Sequence, residues 1–171
     1  MRNILILITL YGLLAACTDN SSSRIREEVI ASVENFVKNE LGNPNRSVDD
    51  DGTIILFSNG IIYRIDPGRI VTGDLDGDSR EDAIISLLVS RMPIMDRPEH
   101  MILLKDDSGF IITKVPDSDM KVLRIEDGIV YAEISVISPD SPMYGCDSCK
   151  EVVQFQYTGG DLIRIDLPVS P

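Results

Sequence analysis

The sequence predicts an α+β fold, with one N-terminal amphipathic helix packed on an antiparallel β meander in a single domain. Three observations carry the prediction. Apolar residues recur at helical spacing in one stretch, Arg24–Leu41. From Thr53 onward, short runs rich in Ile, Val and Leu alternate with turn residues such as Asn59-Gly60, Asp127-Gly128 and Gly159-Gly160. No linker between these runs is long enough to divide the chain of 171 residues into two folded domains.

The helix comes first. Val29, Val33, Phe36, Val37 and Leu41 form its apolar stripe, with Ile30 beside them. Ser23 can cap its start, Glu27 and Glu28 complement the dipole of the first turn, and Gly42 followed by Pro44 stops it. Its acids oppose a position on a membrane surface, so the stripe is expected to pack on a sheet. Asn43–Gly52 reads as a polar linker, with Asp49, Asp50 and Asp51 in a solvated turn.

Thr53–Ser58 and Ile61–Ile65 form a hairpin across Asn59-Gly60, a pair suited to a type I′ turn. Asp66-Pro67-Gly68 makes a further turn, and Ile70–Thr72 is a short strand. Ala83–Ser90 is apolar almost throughout, as expected of a central strand. Arg91–Pro98 reads as a loop. Glu99–Lys105 pairs with Phe110–Val115, and Met120–Ile125 with Ile129–Ile137. Ser138–Gly145 is a Pro-rich loop, and Val152–Tyr157 with Leu162–Leu167 closes the meander.

Between Thr72 and Ala83 lies the most distinctive stretch of the chain. Asp74, Asp76, Asp78 and Asp82 occupy positions 1, 3, 5 and 9 of one short loop. Four carboxylates this close repel one another unless a cation lies between them. Alternate residues can aim at one centre, with Arg80 giving its backbone carbonyl and turning its charged side chain away. Such a set suits calcium, which takes six to eight oxygens in flexible geometry. Magnesium demands a stricter octahedron, and zinc prefers the nitrogen and sulfur that this loop lacks. The bland alternative is an acidic surface turn without an ion.

The spacing resembles the DxDxDGxxD loops of integrin-α FG-GAP and VCBS-type repeats, and more distantly the first half of an EF-hand or dockerin loop. The resemblance implies a structural calcium ion held by Asp74, Asp76, Asp78, Arg80 and Asp82, and covers about a tenth of the chain. Ser79 departs from it at position 6, where those loops carry Gly, at a cost of up to about 1 kcal/mol if the turn is strained. Ile85 stands where an EF-hand has its bidentate acid, and the loop runs into a strand and not a helix. With a single copy, a whole propeller is not implied.

The N-terminus carries a different signature. Arg2 precedes an apolar run, Ile4–Leu14, too short to span a bilayer, and the run ends in Leu14-Ala15-Ala16-Cys17 before a polar TDNSSS. This resembles the lipobox of bacterial lipoproteins. The resemblance implies a signal peptide over residues 1–16, diacylglycerol on the Cys17 sulfur, an acylated amino terminus, and a lipidated tether over residues 17–23 before one domain over residues 24–171. Several acyl chains anchor a protein stably to a membrane. Thr18 after the cysteine, in place of Asp, implies the outer membrane of a Gram-negative cell.

Sixteen Lys and Arg against 28 Asp and Glu give a net charge of −12. Nucleic-acid binding is disfavoured, since no basic patch is present. The charge suits solubility, divalent cations or a basic protein partner. Cys146 and Cys149 form a CxxC ahead of a strand. Thioredoxin-type chemistry wants a helix there, so a disulfide between them is the expectation in an oxidising compartment. His100, beside Glu99, is expected at the surface, and too few ligands accompany the cysteines for zinc. The leading functional reading is a membrane-anchored, calcium-stabilised interaction module. An inhibitor or immunity-type lipoprotein facing a basic partner is one alternative. A calcium-dependent hydrolase or CxxC oxidoreductase is the other.

Overall fold

The structure, a computed structural model, describes residues 2–91, 94–115, 120–136 and 149–165, with backbone alone over residues 2–21 and 94–95. Helix α1 (Arg2–Leu41) is followed by strands β1 (Asn45–Val48), β2 (Ile54–Ser58), β3 (Ile61–Gly73), β4 (Asp82–Arg91), β5 (Ile94–Asp106), β6 (Gly109–Val115), β7 (Met120–Glu126), β8 (Ile129–Ser135), β9 (Lys150–Thr158) and β10 (Asp161–Ile165). The first six strands form one antiparallel sheet in chain order, β1-β2-β3-β4-β5-β6. The last four form a second, β10-β9-β8-β7.

This corrects the predicted α+β class. The chain is mostly β, and the single expected meander is two sheets. The physical reason lies in β4 and β5. Successive strand residues point to opposite faces. Ala83, Ile85, Leu87, Met101 and Leu103 are buried on one face, in a cluster with Val29, Val33 and Val37 of α1 and with Ile54, Leu56, Tyr63 and Ile65. Ile84 and Ile102 are buried on the other, with Met120, Val122, Val130 and Ala132 of the second sheet. A strand apolar on both faces needs a cover on both, and one helix can supply only one. The second sheet supplies the other.

Several boundaries also differ from expectation. Helix α1 begins at Arg2 and not at Arg24, so it includes the residues assigned to the tether. Among the described residues, no helix is long and apolar enough to cross a membrane. The Asn43–Gly52 linker contains an exposed edge strand, β1, whose Arg46 grips Glu34 of the helix at 3.0 and 3.2 Å. The Asp66-Pro67-Gly68 turn is a bulge within the long strand β3. Strand β5 begins at Ile94, inside the predicted Arg91–Pro98 loop. Ile137, the Ser138–Gly145 loop, Cys146, and Asp166 and Leu167 of the predicted last strand lie outside the described residues.

Polar contacts also tie α1 to the sheet. Tyr63 donates its phenol to Glu40 at 2.8 Å, and the Lys114 ammonium reaches the same carboxylate at 2.7 Å. Burial raises the Glu40 pKa, but the hydrogen bonds from Lys114 and Tyr63 outweigh it and hold the group below its ordinary value. Cys149 is buried and disulfide-bonded, and β9 rather than a helix follows it.

Candidate metal centre

Gly73 ends β3 and Asp82 opens β4, so residues 74–81 form the loop between two paired strands. Its root is fixed from three sides. Leu75 inserts into the core between the sheets. A Cβ placed on Gly73 would lie 2.7 Å from Cβ and Cγ2 of Ile125, so only Gly allows β7 to come this near. Asp82 is fully buried, and its two oxygens accept the Leu75 and Lys105 amides, each at 2.8 Å. That pair closes the base of the loop and ties it to β5. Burial raises the Asp82 pKa above the ordinary carboxylate value, and the nearby Asp76 and Asp78 charges add to the rise.

Above this root, Asp74, Asp76 and Asp78 converge. One carboxylate oxygen from each lies within 4.8 Å of the others, and the group could hold a metal ion. The loop's own amides orient them. Asp74 accepts Gly77 N–H at 2.8 Å and Ser79 N–H at 2.9 Å. Asp76 accepts Asp78 N–H at 3.1 Å, and Asp78 accepts Arg80 N–H at 2.8 Å. Each carboxylate keeps lone pairs beyond those bonds, because an ionised carboxylate offers about four acceptor sites.

Two of the five residues assigned to the ion by sequence are placed differently from expectation. Asp82 stands outside the three-carboxylate group, as the loop's buried fastener. The Arg80 side chain does not turn away: its guanidinium lies 3.5 Å from Asp78 and reaches Asp107 at 2.8 Å. Asp107, which the sequence places in the hairpin turn between β5 and β6, and Leu75 carry no sequence signal that assigns them to the loop. Neither belongs to the periodic Asp spacing, and only the fold brings the β5–β6 turn to the loop.

The backbone matches the sequence reading at position 6. Ser79 has φ +67°, and Gly77 has φ +83°. A left-handed residue with a Cβ is strained where Gly is not, so Ser79→Gly is expected to stabilise the fold by about 0.5 kcal/mol, net of the entropy that Gly adds to the unfolded chain. A rise in the urea midpoint at unchanged slope would register it.

His100 is also not where its sequence position placed it. It is fully buried, with Nδ1 2.9 Å from Ser86 Oγ. The signal was present in the strand: His100 shares a face with Ile102, and that face is covered by the second sheet.

None of the protein-family models, curated proteins or solved structures compared with this chain matches it.

Proposed function

We propose that this chain is a non-enzymatic binding module stabilised by one calcium ion and held at a bacterial outer membrane through acylated Cys17. The observation that carries the calcium reading is the convergence of Asp74, Asp76 and Asp78. Their separation fits the roughly 5 Å that two oxygens span across one calcium ion at 2.3–2.6 Å each. The donors are hard oxygens, with no nitrogen or sulfur among them. Waters complete a coordination shell to which the exposed side of the loop is open. The ion removes the mutual repulsion of three carboxylates and fixes the path from β3 into β4, the strand buried on both faces. The role is structural, because the loop stands on a rigid root that fixes the turn between two paired strands.

The anchor reading rests on Leu14-Ala15-Ala16-Cys17. Cys17→Ser should release the protein from the membrane fraction of expressing cells, and retention of that variant on membranes would refute the anchor.

The ion assignment is tested by calorimetric titration of calcium into the protein and into an Asp76→Asn, Asp78→Asn double variant. Both side chains are exposed, so the variant keeps its core. Loss of two of three charged ligands should weaken calcium binding by about a hundredfold or more, given how strongly ligand charge tunes such sites. Equal affinity in the two proteins would refute the assignment.

A further inference from the structure

Helix α1 lies along the strands of the first sheet, and two contacts fix its direction. Gly73 and Asp82 pair at one end of β3 and β4, and Ile61 and Arg91 pair at the other. Glu28 pairs with Lys105 at the first of these ends, where β5 runs into its turn with β6. About three helical turns later, Glu40 accepts bonds from Tyr63, two residues into β3, and from Lys114, one residue before the end of β6. The helix thus leaves the domain, toward its own N-terminus, at the end where β3 meets β4.

Three turns build that end. Arg80 of the 74–81 loop reaches Asp107 of the β5–β6 turn at 2.8 Å, and a Cβ on Gly128 of the β7–β8 turn would lie 3.7 Å from the Leu75 carbonyl oxygen. The opposite end carries Asn59-Gly60, the turn between β2 and β3. At about 3.3 Å per residue, the ten residues of β4 set the two ends about 30 Å apart. Helix α1 does not stop at the domain. It is one helix from Arg2 to Leu41, with Cys17 inside it. At about 1.5 Å per residue, the stretch from Glu28 back to Cys17 spans about 17 Å.

We propose that the end built from the 74–81 loop and the β5–β6 and β7–β8 turns faces the lipid bilayer, held off it by the helical stretch between Cys17 and Glu28. The Asn59-Gly60 tip then points away from the membrane. The proposal rests on the acylated Cys17 and is independent of the calcium reading. A flexible tether of the same length would let the domain tumble, whereas a helical one sets both distance and direction. The partner surface is a layer of lipid headgroups met at a distance. Asp106, Asp107 and Asp127 stand at this end, and anionic headgroups repel them, which opposes closer seating.

The test uses the full-length chain, purified from membranes and reconstituted into phosphatidylcholine vesicles that carry a headgroup dye. A thiol-reactive fluorophore is placed through Ser108→Cys at the turn end or Asn59→Cys at the far end, and energy transfer to the dye is measured. Both residues are exposed, Cys149 is disulfide-bonded, and the unsubstituted chain gives the background. Transfer from the Ser108→Cys label is expected to be several times more efficient than from the Asn59→Cys label. Phe57→Cys, exposed on β2, marks the far end if the substituted turn does not fold. Ser22→Pro breaks the helix ahead of its packed part, and should bring the two efficiencies together while the chain stays on the membrane. Equal transfer from the two labels, stronger transfer from the far end, or a difference that survives Ser22→Pro would each overturn the proposal and leave the anchor standing. Recovery of the unsubstituted chain in the soluble fraction would overturn the anchor reading, and this proposal with it.

Discussion

Asp82→Ala is expected to destabilise the fold by about 2–3 kcal/mol, because it strands one buried and one half-buried backbone donor at once. The Leu75 and Lys105 amides each lose their acceptor, and a buried amide left unsatisfied costs about 1–3 kcal/mol. Part of this is offset, since the variant no longer buries a carboxylate whose pKa is raised by desolvation and by Asp76 and Asp78. Asp82→Asn should cost less, because it keeps one acceptor oxygen. The ordering wild type, Asn, Ala in urea denaturation checks the account. Equal stability of Ala and wild type would mean that the two amides find other partners, and that Asp82 does not fasten the loop.

Gly73→Ala is expected to cost about 2–3 kcal/mol, as an overpacked contact between the sheets. The added methyl would sit 2.7 Å from Ile125 Cβ and Cγ2 and 3.1 Å from its carbonyl oxygen. Neither neighbour is the end of a flexible side chain, so β7 must move away from the root of the loop. A double-mutant cycle isolates the contact. In an Ile125→Gly background, the cost of Gly73→Ala should fall below about 1 kcal/mol, because both clashing carbons are gone. An unchanged cost in that background would place the strain elsewhere.

These two positions show where sequence reading works and where it stops. The Asp spacing, the Asn59-Gly60 hairpin and the αL demand at Ser79 are local, written in residues a few positions apart. Gly73 is equally plain in the sequence, but its reason is Ile125, which reaches it only through the packing of two sheets. The same holds for Asp82. Its position in the Asp series pointed to a ligand, while its neighbours in space made it an acceptor for two amides. The α+β expectation fails at β4, whose apolar run fits a central strand in one sheet but says nothing of how many layers cover it. A run buried on both faces also demands a second covering layer, and here β7–β10 provide it. His100 followed the same rule, since its face of β5 is the one that the second sheet covers.

The most direct test of the calcium reading is a thermal melt of the chain from Thr18 onward in calcium, in magnesium and in EDTA. A ligand bound only by the folded state, at about a hundred times its dissociation constant, adds roughly 2.7 kcal/mol. For a domain of this size that is a shift of about 5–10 °C. The account predicts such a rise in calcium over EDTA, little or none in magnesium, and its loss in the Asp76→Asn, Asp78→Asn variant. Identical midpoints in calcium and EDTA would contradict it, and would leave the loop as an acidic turn held by its own amides and by Arg80.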